Sequence, residues 1–190
     1  DSTSFTLTVA SISDVTAINT TTIAEDASAT VTLSSTFSGT PTYSAKSDTS
    51  AITVSVLSTT LQLTPSSNWN GTSTITVYAS VGTFKDSTTF TLSVTAVNDA
   101  PVITAVANDS TNEETEKSIV LSASDIDADA LTYTASSDTS AVAVTVSTNT
   151  LKLTPALNYT GTSVITAIVS DNALADTTKF DFKVINVNDA

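Results

Sequence analysis

The chain repeats itself at a fixed distance, which limits it to architectures in which one folded unit is used more than once. Leu63-Thr64-Pro65 followed by Asn68, Trp69 and Gly71 returns as Leu153-Thr154-Pro155 followed by Asn158, Tyr159 and Gly161. From Tyr43/Tyr133 to Val94/Val184 the two copies match at a constant offset of 90 (133 − 43). Asn98-Asp99-Ala100 comes back as Asn188-Asp189-Ala190, and Asp1 to Val9 is a third copy of Asp86 to Val94 and of Asp176 to Val184. The 190 residues therefore read as the last strand of a preceding repeat over 1–10, a first repeat over 11–98 and a second over 99–190. A unit of roughly 90 residues can bury a core of its own without staples, so the absence of cysteine is no obstacle to folding.

Within each copy apolar residues recur with period two, as in Phe90-Thr91-Leu92-Ser93-Val94 and Ile75-Thr76-Val77-Tyr78-Ala79, with threonine and serine between them. Alternation of this kind is the mark of half-buried strands, and threonine suits the solvent face of a sheet. About seven strands are expected per copy, near 15–19, 29–34, 41–46, 51–56, 60–64, 72–80 and 87–96 in the first. In the second they are expected near 101–106, 117–123, 131–136, 141–146, 150–154, 162–170 and 177–187. We letter them A to G. Short strands at this spacing predict an all-β chain of two tandem Ig-like, antiparallel β-sandwich domains. Pro65 and Pro155 are expected to end strand E, and Gly71 and Gly161 to supply positive φ before strand F. Trp69 and Tyr159 fill one equivalent slot, expected to be an aromatic plug at the sandwich end, with sugar stacking the alternative role. Pro101 holds the residue before it extended and makes a short, stiff linker after Asn98-Asp99-Ala100.

Composition narrows the function. The chain has no histidine, cysteine, methionine or arginine, and this removes zinc and copper sites, Ser-His and Cys-His dyads and thiol chemistry. A net charge of −13 with six lysines leaves no dense basic face for nucleic acid or an anionic membrane surface. No apolar run is long enough to span a bilayer, and no nucleophile elbow, phosphate loop or oxyanion motif occurs. The chain is not expected to be an enzyme. Four Asn-x-Ser/Thr matches, at Asn19, Asn70, Asn108 and Asn158, arise easily in so Ser/Thr-rich a sequence.

The acids are placed more tellingly than they are numbered. Asp125-Ile126-Asp127-Ala128-Asp129 lies between strands B and C of the second copy, and alternate carboxylates on a loop suit a hard cation that takes six to eight oxygens. It is no EF-hand, since Ala130 stands where the loop glycine would be and Ser136 where the closing glutamate would be. In a seven-strand sandwich the B–C and F–G loops lie where the chain enters, and the A–B and E–F loops where it leaves. The leaving end of copy one thus carries Glu25, Asp26 and Asn68, the leading end of copy two Asp125, Asp127, Asp129 and Asp171, with Asn98 and Asp99 on the linker. Unscreened, such carboxylates repel; a divalent cation turns the repulsion into a clamp. Turn chemistry is the competing explanation, because Asp and Asn cap loops generally. Copy one lacks the pattern, with Ser34 to Thr40 free of acids and Val81-Gly82 in place of Asp171-Asn172. Its leading end, near Asp14, is expected to bind calcium poorly or not at all. Glu113, Glu114, Asn188 and Asp189 form half a site at the far end of copy two.

Val97-Asn98-Asp99-Ala100-Pro101, the early acid pair, Asp-x-Asp-x-Asp before Leu131-Thr132-Tyr133, the Leu-Thr-Pro…Asn…Gly run and Ser170-Asp171 together resemble bacterial cadherin-like (VCBS-type, Ig-like) tandem repeats. The resemblance covers nearly the whole chain. It implies structural calcium at interdomain joints of long cell-surface or secreted adhesins. By motif match it implies Glu25, Asp99, Asp125, Asp127 and Asp171 as ligands, with Asp26, Asn98 and Asp129 beside them. Three functions follow as expectations: stalk repeats of an extracellular adhesin or fibre partnered by neighbouring repeats; a filament subunit assembled by strand addition through residues 1–9; and a module that binds a glycan or protein on another cell. Short loops and a single tryptophan count against the last.

Overall fold

The computed structural model describes residues 14–188; the Asp1–Val9 strand and Asp189 lie outside the described residues. The chain divides between Val97 and Asn98 into two compact units, one for each copy of the repeat. The fold is all-β and Ig-like, with no helix among the described residues, and hence none long and apolar enough to cross a membrane.

Unit 1 contains β1 (Thr21–Ala24), β2 (Ala29–Thr32), β3 (Thr42–Ser47), β4 (Ile52–Leu57), β5 (Thr60–Pro65), β6 (Gly71–Val81) and β7 (Phe84–Thr95). They form a four-stranded sheet in the order β1-β7-β6-β3 and a three-stranded sheet in the order β2-β5-β4. Alternation decides what lies between them. Leu61 and Leu63 from one sheet and Ile75, Val77 and Leu92 from the other are fully buried, and Leu33, Tyr43, Ile52, Phe90 and Val94 complete the layer. Burying a side chain of this size removes about 1.5–3 kcal/mol of unfavourable hydration, so the inward set outweighs any single polar contact in the unit.

Unit 2 repeats the plan with β8 (Val102–Ile103), β9 (Asp109–Asn112), β10 (Lys117–Val120), β11 (Ala123–Ser124), β12 (Thr132–Ser137), β13 (Val142–Ser147), β14 (Thr150–Pro155), β15 (Gly161–Ser170) and β16 (Ala175–Ile185). The sheet orders are β12-β15-β16-β9 and β10-β14-β13, with β8 and β11 paired to each other. Leu121, Val142, Leu151, Leu153, Ile165, Ala167, Phe180, Phe182 and Val184 make its core. Pro65 and Pro155 end their strands as expected, and Gly71 (φ 143) and Gly161 (φ 151) turn the chain with positive φ. At both glycines a Cβ would come within 3.1 Å of the preceding aromatic, Trp69 or Tyr159, which packs against the core as a plug.

The first strand of each copy differs from expectation. The single strand placed at 15–19 is reduced to a bridge between Val15 and Ser35, and the one at 101–106 to β8. The chain then crosses to the other sheet, where β1 and β9 run parallel to β7 and β16. The predicted B strand at 117–123 is likewise broken into β10 and β11.

Candidate metal centre

In unit 2 the B–C loop, Asp125 to Leu131, and the F–G loop, Asp171 to Leu174, each fold around an aspartate. Asp125 Oδ1 accepts the N–H groups of Asp127 at 2.9 Å and Asp129 at 3.2 Å, closing the loop on its first carboxylate. Asp171 does the same for its own turn, its Oδ1 accepting from Ala173 at 2.7 Å and Leu174 at 2.6 Å. These are local side-chain-to-backbone bonds of the kind short polar residues favour over regular structure. Long-range bonds then bring in the linker. Asn98 Nδ2 donates to Asp171 Oδ2 at 2.8 Å, and the Asp99 N–H donates to Asp127 Oδ2 at 2.8 Å.

Sandwich topology and turn chemistry thus place Asn98, Asp99, Asp125, Asp127, Asp129 and Asp171 at one end of unit 2. Carboxylate oxygens of Asp125, Asp127 and Asp129 lie within 4.8 Å of one another. Asp171 is 8% exposed, and the Asn98 amide first, then the Leu174 N–H, hold its carboxyl below the ordinary carboxylate range. Asp125 Oδ2 is buried and has no hydrogen-bond partner. An ionised oxygen in that position is costly unless a cation or a donor meets it. A hard oxygen-seeking ion such as calcium fits this donor set, which holds no nitrogen or sulfur ligand.

The remaining predicted residues belong to unit 1. Glu25 is 5% exposed, and its Oε1 accepts the Val97 N–H at 2.5 Å while Asn70 Nδ2 donates to Oε2 at 3.4 Å. Asp26, in a left-handed turn (φ 60), accepts the Asn68 N–H at 3.1 Å. Glu25, Asp26 and Asn68 therefore stand together where the chain leaves unit 1. Unit 2 repeats the arrangement, Glu113 being 6% exposed with Oε1 accepting the Val187 N–H at 2.7 Å. Each buried glutamate ties the A–B turn to the residue that leaves the last strand.

The leading end of unit 1 is built from other materials. By strand register Phe37 occupies the place of Asp125 and Val81 that of Asp171. Phe37 is 8% exposed and belongs to the core, and Val81 packs against it. Where unit 2 presents carboxylates, unit 1 closes its core with an apolar seal.

Two aspartates outside the predicted set also hold this end together. Asp86 Oδ2 accepts the Val15 N–H at 2.8 Å, and Asp176 Oδ2 accepts the Ile103 N–H at 2.9 Å. They pin the incoming strand of each unit to its F–G hairpin. Their recurrence at Asp1, Asp86 and Asp176 in the threefold match is the sequence signal that could have found them.

Known proteins similar to the chain comprise a domain family and several solved structures. No curated protein matches it. Among solved structures it is similar to the endo-fucoidan hydrolase MfFcnA4 from glycoside hydrolase family 107 (19% identity, TM-score 0.40), covering 96% of this chain and 30% of that one. It is also similar to Drosophila N-cadherin EC1-4 (12% identity, TM-score 0.42; 90% and 49% covered). A third similarity is to titin domains Z1Z2 in complex with telethonin (14% identity, TM-score 0.37; 90% and 94% covered). The chain thus spans less than a third of the hydrolase. Residues 98–183, nearly all of unit 2, match the family model described as a bacterial Ig domain, in keeping with the Ig-like sandwich seen there.

Proposed function

We propose that the two units are stalk repeats of an extracellular adhesin or fibre of the bacterial cadherin-like (VCBS-type) kind, and that calcium stiffens the joint between them. The observation that carries this reading is Asp125 Oδ2, buried without a donor in a loop whose other carboxylate oxygen already accepts two N–H groups. Asp99, Asp125, Asp127 and Asp129 would hold the ion on the unit 2 side, with Asp171 and Asn98 fixing the loop and linker around it. Glu25, which accepts the Val97 N–H where the chain leaves unit 1, and Asp26 beside it are the residues that unit could add. Bound calcium would supply a charge of +2 to offset the carboxylates. The role asks for length and stiffness, and needs no catalytic group.

Binding to the paired units alone would stabilise them by mass action, about 2.7 kcal/mol at a hundredfold excess over Kd. Small-angle scattering of the whole chain with calcium is expected to show longer, narrower end-to-end distances than with chelator, because screening is lost when the ion leaves. Asp125→Asn with Asp127→Asn should reproduce the chelated profile with both units folded. Identical profiles in calcium and chelator would remove the clamp.

A further inference from the structure

The outer face of the unit 1 sheet β3-β6-β7 has an exposed aromatic at its centre. Tyr78 is 37% exposed and pairs across the strands with Ser44 on one side and Ser87 on the other. The row on one side of it runs Lys46, Thr76, Thr89, and the row on the other runs Thr42, Ser80, Lys85. Tyr78 is therefore ringed by six hydroxyl side chains and, at opposite diagonal corners, two lysines. Diagonal cross-strand neighbours lie within reach of long side chains. Lys46 Nζ stands 5.8 Å from the Tyr78 ring centroid. Ser44, Tyr78, Ala79, Ser80, Lys85 and Asp86 line a recess of about 240 Å³ beside the ring.

Four features set this patch apart from an ordinary strand surface. Lys46 and Lys85 are the only cations among residues 1–97 of a chain whose net charge is −13. Neither lysine is in an ion pair, since the pairs among the described residues are Lys117–Asp109 and Lys152–Glu116. Asp86, the carboxylate in the recess, accepts the Val15 N–H. The same positions of unit 2 hold Ile168 in place of Tyr78, Ser136 in place of Lys46 and Ala175 in place of Lys85, so the fold does not require the group.

We propose that this face of unit 1 binds an anionic sugar, a pyranose bearing carboxylate or sulfate. The ring stacks on Tyr78, the acid group lies between the ammonium groups of Lys46 and Lys85, and the serine and threonine hydroxyls meet the sugar hydroxyls. The site lies within one unit and uses none of the carboxylates assigned to calcium, so it stands whether or not the clamp does.

The test is a heteronuclear NMR titration of the whole chain in chelator with a short oligouronate, a sulfated oligosaccharide of equal length and their neutral counterpart. Shifts confined to β3, β6 and β7 with the uronate, the sulfated sugar or both support the site, and the responding arm names the acid group. Affinity should fall as salt rises. Tyr78→Ala and the pair Lys46→Gln, Lys85→Gln should each weaken binding about tenfold with the amide spectrum otherwise retained, the loss expected for a partly desolvated cation–π or stacking contact. No shifts with either anionic sugar, an equal response to the neutral one, shifts that map to unit 2, or unaltered binding by Tyr78→Ala would each overturn the proposal.

Discussion

Phe90 and Phe180 occupy the same place on β7 and β16, are 5% and 3% exposed, and each anchor one core. Phe180→Ala is expected to cost unit 2 about 3–5 kcal/mol, read by denaturant unfolding, because the surrounding sheets cannot collapse into the space. Wild-type stability in that variant would contradict the register of β16. Inward residues such as these were legible in the sequence, since a period of two sorts faces without knowledge of partners. The clustered acids were legible for a related reason: alternation locates the strands, so the loops between them are known. Phe37 was not, because it sits in a loop with no period to betray a buried position. Asp86 and Asp176 were missed because their partners, Val15 and Ile103, are 71 and 73 residues away. The lysines around Tyr78 could be grouped only after cross-strand register was known.

The hairpins joining β4 to β5 and β13 to β14 each turn on two residues, and they carry strain. Their first loop residues, Ser58 (φ 56) and Thr148 (φ 55), lie in the left-handed region, and Thr148 is β-branched. The turns are held there from outside: Thr59 O accepts the Leu33 N–H at 2.7 Å, and Asn149 O accepts the Leu121 N–H at 2.8 Å. Thr148→Asn, which tolerates that conformation, is expected to stabilise unit 2 by roughly 0.5–1 kcal/mol. A thermal melt showing no gain would contradict strain at Thr148. Strands C to G were legible because each is long and strongly alternating. The start of each unit was not, because Asp109-Ser110-Thr111-Asn112 is wholly polar and is a strand only through its pairing with β16. Tertiary pairing overrides propensity there.

Across the molecule, acid should act unequally on the two units. The carboxyls of Asp48, Asp109, Asp171 and Asp176 are held below the ordinary range by the Ser73 hydroxyl, the Lys117 ammonium, the Asn98 amide and the Ile103 N–H respectively. A carboxyl depressed in the folded state binds its proton less readily there than in the unfolded chain. Its contribution is complete above the unfolded value, near pH 4, and is lost as pH falls through the lower folded value. Asp109, Asp171 and Asp176 belong to unit 2 and Asp48 to unit 1, so unit 2 should lose more stability between pH 7 and pH 3. Trp69, the single tryptophan, reports unit 1 by fluorescence while circular dichroism reports both. A Trp69 transition that falls faster than the remaining one would contradict this. The parallel pairing of β1 with β7, and of β9 with β16, carries a mechanical consequence. A pull on the two ends of a unit draws β1 or β9 backward and β7 or β16 forward, so their rungs are loaded in shear and must fail together. An antiparallel pair with its load at one end would open like a zip, one rung at a time. The buried glutamates, Glu25 against Val97 and Glu113 against Val187, sit where that load leaves the unit and add a further bond to be broken with the rest.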